Sequence, residues 1–65
     1  VHVGNLVVEA KSTTKQSLSI KREVLNKVRH EAAGSGKIPL LSIEFTGDEP
    51  WVLIPYEFFK DLVRG

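Results

Sequence analysis

The pattern along the chain changes period twice. Leu6-Val7-Val8 is apolar and β-branched, follows the turn signal Gly4-Asn5, and runs into Glu9-Ala10-Lys11. A strand is the natural reading, with Val1-His2-Val3 before the turn completing a short antiparallel hairpin. From Ile20 to Ala33 the period becomes helical: Val24, Leu25, Val28 and Ala32 fall at three- and four-residue steps on one face. Lys21, Arg22, Lys27 and Arg29 lie off that stripe. Ser19 is the expected N-cap and Gly34 the expected left-handed residue at the helix end. Alternation then returns in Leu40–Phe45, where Leu41, Ile43 and Phe45 share a face. Thr46–Pro50 reads as a turn and Trp51–Ile54 as a second strand. Pro55 suits the start of a final helix whose Tyr56, Phe59, Leu62 and Val63 are expected to face the sheet, with Phe58 partly covered.

The order is strand, strand, helix, strand, strand, helix. It predicts a small α/β domain with a mixed β-sheet flanked by helices. The 65 residues suffice for one domain with a core near the lower limit for independent folding. A hydrophobic share of 42% with 26% charged residues argues against disorder. Without cysteine the chain has neither disulfides nor a thiolate zinc site. His2 and His30 have no ligand spacing, and His30 is expected to interact with the last carbonyls of its helix. No apolar run approaches the roughly 20 residues of a membrane span, and the opening Val-His-Val-Gly-Asn is not a signal peptide. A cytoplasmic protein without membrane partners is expected.

The net charge of +1 exerts no global pull on nucleic acid, but four of the nine basic residues fall between Lys11 and Arg22. On a strand, Val7, Glu9 and Lys11 point to one face and Leu6, Val8 and Ala10 to the other. Glu9 and Lys11 therefore stand together at the strand end, either as a surface ion pair or as part of a phosphodiester-cutting site. Such a site needs a metal on oxygen ligands and positive charge for the developing oxyanion. Glu9 can supply a carboxylate, Ala10 its backbone carbonyl, and Lys11 can orient the attacking water and hold the scissile phosphate. No second carboxylate stands among Val1 to Asn5. The polar stretch Ser12–Ser17 reads as a loop, either a solvated connector or a set of phosphate contacts. Trp51 is either a base-stacking aromatic or edge packing.

Val8-Glu9-Ala10-Lys11-Ser12 resembles the E-x-K-S end of the PD-(D/E)xK nuclease motif. The polar loop, the basic helix and the Leu40–Phe45 strand continue the likeness, which is nearest to archaeal- and phage-type Holliday junction resolvases. It spans nearly the whole chain, as the later part of the family's core. The resemblance implies a restriction-endonuclease-like fold, with residues 1–65 a fragment of a longer nuclease domain. A helix and a strand would precede Val1, and an aspartate would fall at or just upstream of it. It implies Glu9 and Lys11 as catalytic residues, Mg2+ or Mn2+ held by Glu9 and the Ala10 carbonyl, and a homodimer acting on branched DNA in a bacterial, archaeal or phage-infected cell. Candidate DNA contacts are Ser12, Thr13, Lys15, Gln16, Lys21 and Arg22. The competing expectation is a non-catalytic nucleic-acid-binding or assembly module on the same scaffold.

Overall fold

A computed structural model describes all residues from Val1 to Gly65. Its elements are β1 (His2–Val3), β2 (Leu6–Thr13), α1 (Arg22–Ser35), β3 (Ile38–Phe45), β4 (Trp51–Leu53) and α2 (Tyr56–Arg64). They form one four-stranded sheet in the order β1-β2-β3-β4, antiparallel at both edges and parallel between β2 and β3. The predicted small mixed sheet with two helices, in the predicted order, is therefore the architecture of the chain.

The first hairpin forms as its sequence dictates. Gly4 adopts φ 57° between Val3 and Leu6, which pair directly. Glycine at the first central position of a two-residue turn supplies the positive φ that matches strand twist.

β2 continues further than expected, through Ser12 and Thr13, which pair with Glu44 and Phe45. Hydroxyl residues with a β-branched member extend a strand whenever a parallel neighbour is there to receive them. The loop therefore begins at Thr14, and Ser12 and Thr13 are strand residues.

The helix starts later than expected. Ser19 is not its N-cap; that position is Lys21, with extended backbone and no side-chain cap. Leu18 and Ile20 are half-buried while Ser17, Ser19 and Lys21 are exposed. This two-residue period marks an extended approach that turns two apolar side chains inward before the helix begins. Glu23 in the first turn compensates by meeting the positive end of the helix dipole.

The far end also shifts. Gly34 is helical, and the left-handed residue is Gly36, at φ 66°. The Gly36 amide donates to the Ala33 carbonyl at 3.3 Å and the Lys37 amide to the Ala32 carbonyl at 2.8 Å. Those two bonds define a Schellman end, which satisfies carbonyls the last turn leaves free. His30 is exposed and makes no hydrogen bond to them.

The core lies between α1 and one face of the sheet. Val7, Val28 and Ala32 form its centre, and Leu41 and Pro39 are also buried. The register places Val7, Glu9, Lys11 and Thr13 of β2 beside Pro39, Leu41, Ile43 and Phe45 of β3 on this face. Pro39 stands inside β3, two residues into a strand expected to start at Leu40. Ile38 donates to the Asn5 carbonyl and Thr46 to the Thr13 carbonyl, so the even-numbered amides of β3 face β2. The odd-numbered positions face β4, which reaches only from Ile43 to Leu41. Proline's missing N–H thus falls where no strand pairs, and the ladder loses nothing.

α2 departs most from expectation. Tyr56, Phe59, Leu62 and Val63 do not pack on the sheet; all four are exposed, and only Phe58 is half-buried. β4 has three residues, and Pro55 turns the chain into the helix at once. Phe58 turns toward the second sheet face, where it borders, with Leu62 and Asp61 of the same helix, an open cavity of about 400 Å3 walled by Leu6, Ile38, Leu40 and Ile54. The rest of the helix's wide apolar face has no partner in the chain.

Candidate nucleic-acid and metal site

Topology gathers the candidate residues at one end of the molecule. α1 links two parallel neighbouring strands, so it must run back against them. Its N-terminus, with Lys21 and Arg22, then lies at the end of the sheet where β2 finishes in Ser12-Thr13. Ligands of open α/β sheets commonly occupy this carboxyl end of the parallel strands. Lys15, Gln16, Lys21 and Arg22 are all exposed there.

Glu9 and Lys11 lie on the α1 face of β2, in register with Leu41 and Ile43, and both are half-buried. Two residues along a strand separate their Cα atoms by about 6.6 Å. The side chains form no ion pair with each other: the sole salt bridge in the chain joins His2 to Glu31, at 3.3 Å. Neither the Glu9 nor the Lys11 side chain makes a hydrogen bond within the chain. A carboxylate and an ammonium are thus left with their full bonding capacity beside each other.

Ala10 stands between them along β2. The Val1 ammonium donates to the Val8 carbonyl at 2.9 Å, and the Val8 amide donates back to the Val1 carbonyl at 2.7 Å. Val8 therefore turns its backbone groups toward the β1 side, and by alternation Ala10 and Ser12 do the same. The hydrogen bonding between β1 and β2 extends through Val1 and Val8, and Ala10 is exposed two residues further along β2.

These donors fit magnesium or manganese in kind. Both are hard oxygens, and such ions retain waters and take phosphate oxygens in their remaining positions. The set is minimal in number: no three histidine, aspartate or glutamate side chains come together anywhere in the chain.

The nucleic-acid candidates divide. Thr13 shares the face of Glu9 and Lys11, and its hydroxyl accepts the Lys15 amide at 3.1 Å, which fixes the start of the loop. Its carbonyl accepts both the amide (3.0 Å) and the hydroxyl (3.2 Å) of Thr46. Ser12 points to the opposite face, away from Glu9 and Lys11.

The Thr13–Thr46 tie brings in residues that sequence reading passed over. Thr46 and Asp48 join Thr14, Lys15, Gln16 and Phe45 around a polar cleft of about 440 Å3. The signal was available: the turn after a strand parallel to β2 must sit beside the loop that leaves β2. Trp51, in register with Ile43, is exposed.

No protein-family model, no curated protein and no solved structure matches this chain.

Proposed function

We propose that the chain is the core of a metal-dependent endodeoxyribonuclease of the PD-(D/E)xK type, restriction-endonuclease-like in fold and acting on branched DNA as a homodimer. The observation that carries this reading is the strand segment Glu9-Ala10-Lys11. It sets a carboxylate and an ammonium without side-chain partners on one face, with the Ala10 carbonyl between them along the strand. The basic and hydroxyl-bearing residues stand at the same end. Glu9 and the Ala10 carbonyl would hold Mg2+ or Mn2+, which supplies Lewis acidity toward the phosphate and a more acidic water. Lys11 holds the scissile phosphate and orients the nucleophile. Lys15, Lys21 and Arg22 position the backbone, and the cytoplasm of a bacterial, archaeal or phage-infected cell is the proposed setting.

A second reading has its own observation. The chain offers one carboxylate at this site and no acidic cluster, which suits a nucleic-acid-binding or assembly module that cuts nothing. Cleavage of a labelled four-way junction and its linear control in Mg2+, Mn2+ or EDTA separates the two. It is run on this chain and on a version extended upstream, each beside Glu9→Ala and Lys11→Ala. The nuclease reading expects metal-dependent cutting of the junction, reduced at least about a hundredfold by either substitution. Binding without cutting in every metal, by both versions, leaves the module.

A further inference from the structure

Polar side chains that meet across elements do so at the end of the sheet where β2 begins, around His2. His2 pairs with Val7, a central core residue, so its ring lies on the α1 face of the sheet. Glu31 flanks the buried stripe of α1, three residues after Val28 and one before Ala32. Lys37 follows the left-handed turn at Gly36 and, two residues before Pro39, continues the odd-numbered α1 face of β3. The three converge. His2 Nε2 is 3.3 Å from Glu31 Oε1, and His2 Nδ1 is 2.9 Å from Lys37 Nζ. One imidazole thus ties the edge strand β1 both to α1 and to the start of β3.

The two partners of the ring differ in what they can do. A lysine ammonium only donates hydrogen bonds, and a carboxylate only accepts them. Nδ1 must therefore be the bare, accepting nitrogen, and the ring proton sits on Nε2, which donates it to Glu31. That arrangement belongs to the neutral ring alone. A second proton would occupy Nδ1, leave Lys37 nothing to donate to, and set two like charges at hydrogen-bond distance. Toward Glu31 the same proton turns a neutral donor into a cationic one, which strengthens the bond. One proton thus acts oppositely on the two legs of the tie. The His2 and Glu31 side chains are 42% and 47% exposed, so solvent protons reach the ring. The other charges on the surrounding elements leave the ring to these two partners. Lys27 stands four residues before Glu31 on the same flank of α1, and Glu9 lies two residues beyond Val7 on β2. The Val1 amino group is bonded to the Val8 carbonyl.

We propose that His2, Glu31 and Lys37 form a proton-operated clasp. The neutral ring holds β1 to α1 and to the start of β3 at once. A proton on His2 releases the Lys37 ammonium and keeps β1 tied to α1 through an ion pair with Glu31. This inference rests on these three side chains and holds whether or not the protein cuts DNA.

Side-chain NMR of the isotopically labelled chain tests it, followed between about pH 8 and pH 5, the range in which imidazoles change charge. At the alkaline end the ring nitrogens of His2 should report one tautomer, with the proton on Nε2. His30, exposed and without a hydrogen-bond partner, is the control within the same molecule. As the pH falls, the Lys37 side-chain signals should shift with the same midpoint as the His2 ring. Through-space contacts between Lys37 and the ring should be lost over that step, while those between Glu31 and the ring persist. Lys15 and Lys60, far from the ring in sequence and fold, should show no such step. In His2→Gln, which has no proton to gain, the Lys37 step should vanish; in Glu31→Gln it should remain. Both substitutions are at exposed positions, and the wild-type titration decides without them. A His2 ring with its proton on Nδ1 at the alkaline end overturns the proposal. So does a Lys37 that keeps its contact with the charged ring, or one whose step survives in His2→Gln.

Discussion

Two glycines near the end of α1 show how much a single residue's backbone decides. Gly34 is inside the helix with no atom within 4 Å of a would-be Cβ, and Gly36 is equally open but holds φ 66°. Space is not what separates them; conformation is. Gly34→Ala should stabilise the chain by about 0.5–1 kcal/mol through helix propensity. Gly36→Ala should destabilise it by about 1–2 kcal/mol, because an L-residue strains in the left-handed region. Urea denaturation of the two variants checks both signs. The sequence Gly34-Ser35-Gly36 announces that a helix stops there, but it cannot say which glycine turns left. That depends on where the Schellman bonds close, and Lys37 closes them on Ala32. Pro39 is a second case of the same limit. In sequence it looks like a boundary; in the sheet it sits where β4 is too short to need its missing N–H.

At the scale of elements, periodicity conveyed what local burial controls and little else. The stripe Val24, Leu25, Val28, Ala32 does face the sheet, and the alternation of Leu41, Ile43 and Phe45 does set the α1 face of β3. The pairing of Glu9 with Lys11 on one face followed from strand geometry alone, and Ser12 falling on the other face follows from the same rule. What sequence could not supply was the partner of each face. α2 has the amphipathic pattern of a packed helix, yet the chain gives it almost nothing to pack on. The order of stability follows. Amides of β2, β3 and α1 should exchange slowly, close to the global unfolding limit. Those of α2 should exchange orders of magnitude faster, by local opening. Hydrogen exchange read residue by residue in dilute solution should show that division; equal protection of α2 and α1 would contradict the packing described.

At the scale of the whole molecule, a net charge of +1 is made of closely mixed signs. Lys11, Lys15, Lys21 and Arg22 belong to the end of the sheet where β2 finishes, and the acidic Asp48 and Glu49 follow in the neighbouring turn. The DNA binding proposed for this end would be driven by counterion release. Replacing Lys15 or Lys21 by Ala should lower affinity for all sequences alike and reduce the slope of log K against log salt by about 0.9 each. A fluorescence-anisotropy titration at several salt concentrations measures that slope, and a wild-type slope in both variants would remove these residues from the interface.

The proposed function needs Glu9 and the Ala10 carbonyl to form a site for a divalent cation. It can be tested without any cleavage. Mn2+ is titrated into isotopically labelled protein, and paramagnetic broadening of backbone amides is followed by NMR. Broadening should centre on Glu9, Ala10 and Lys11, and Glu9→Ala should abolish it there. Broadening centred instead on the acidic turn at Asp48-Glu49, with residues 9 to 11 untouched, would contradict the account.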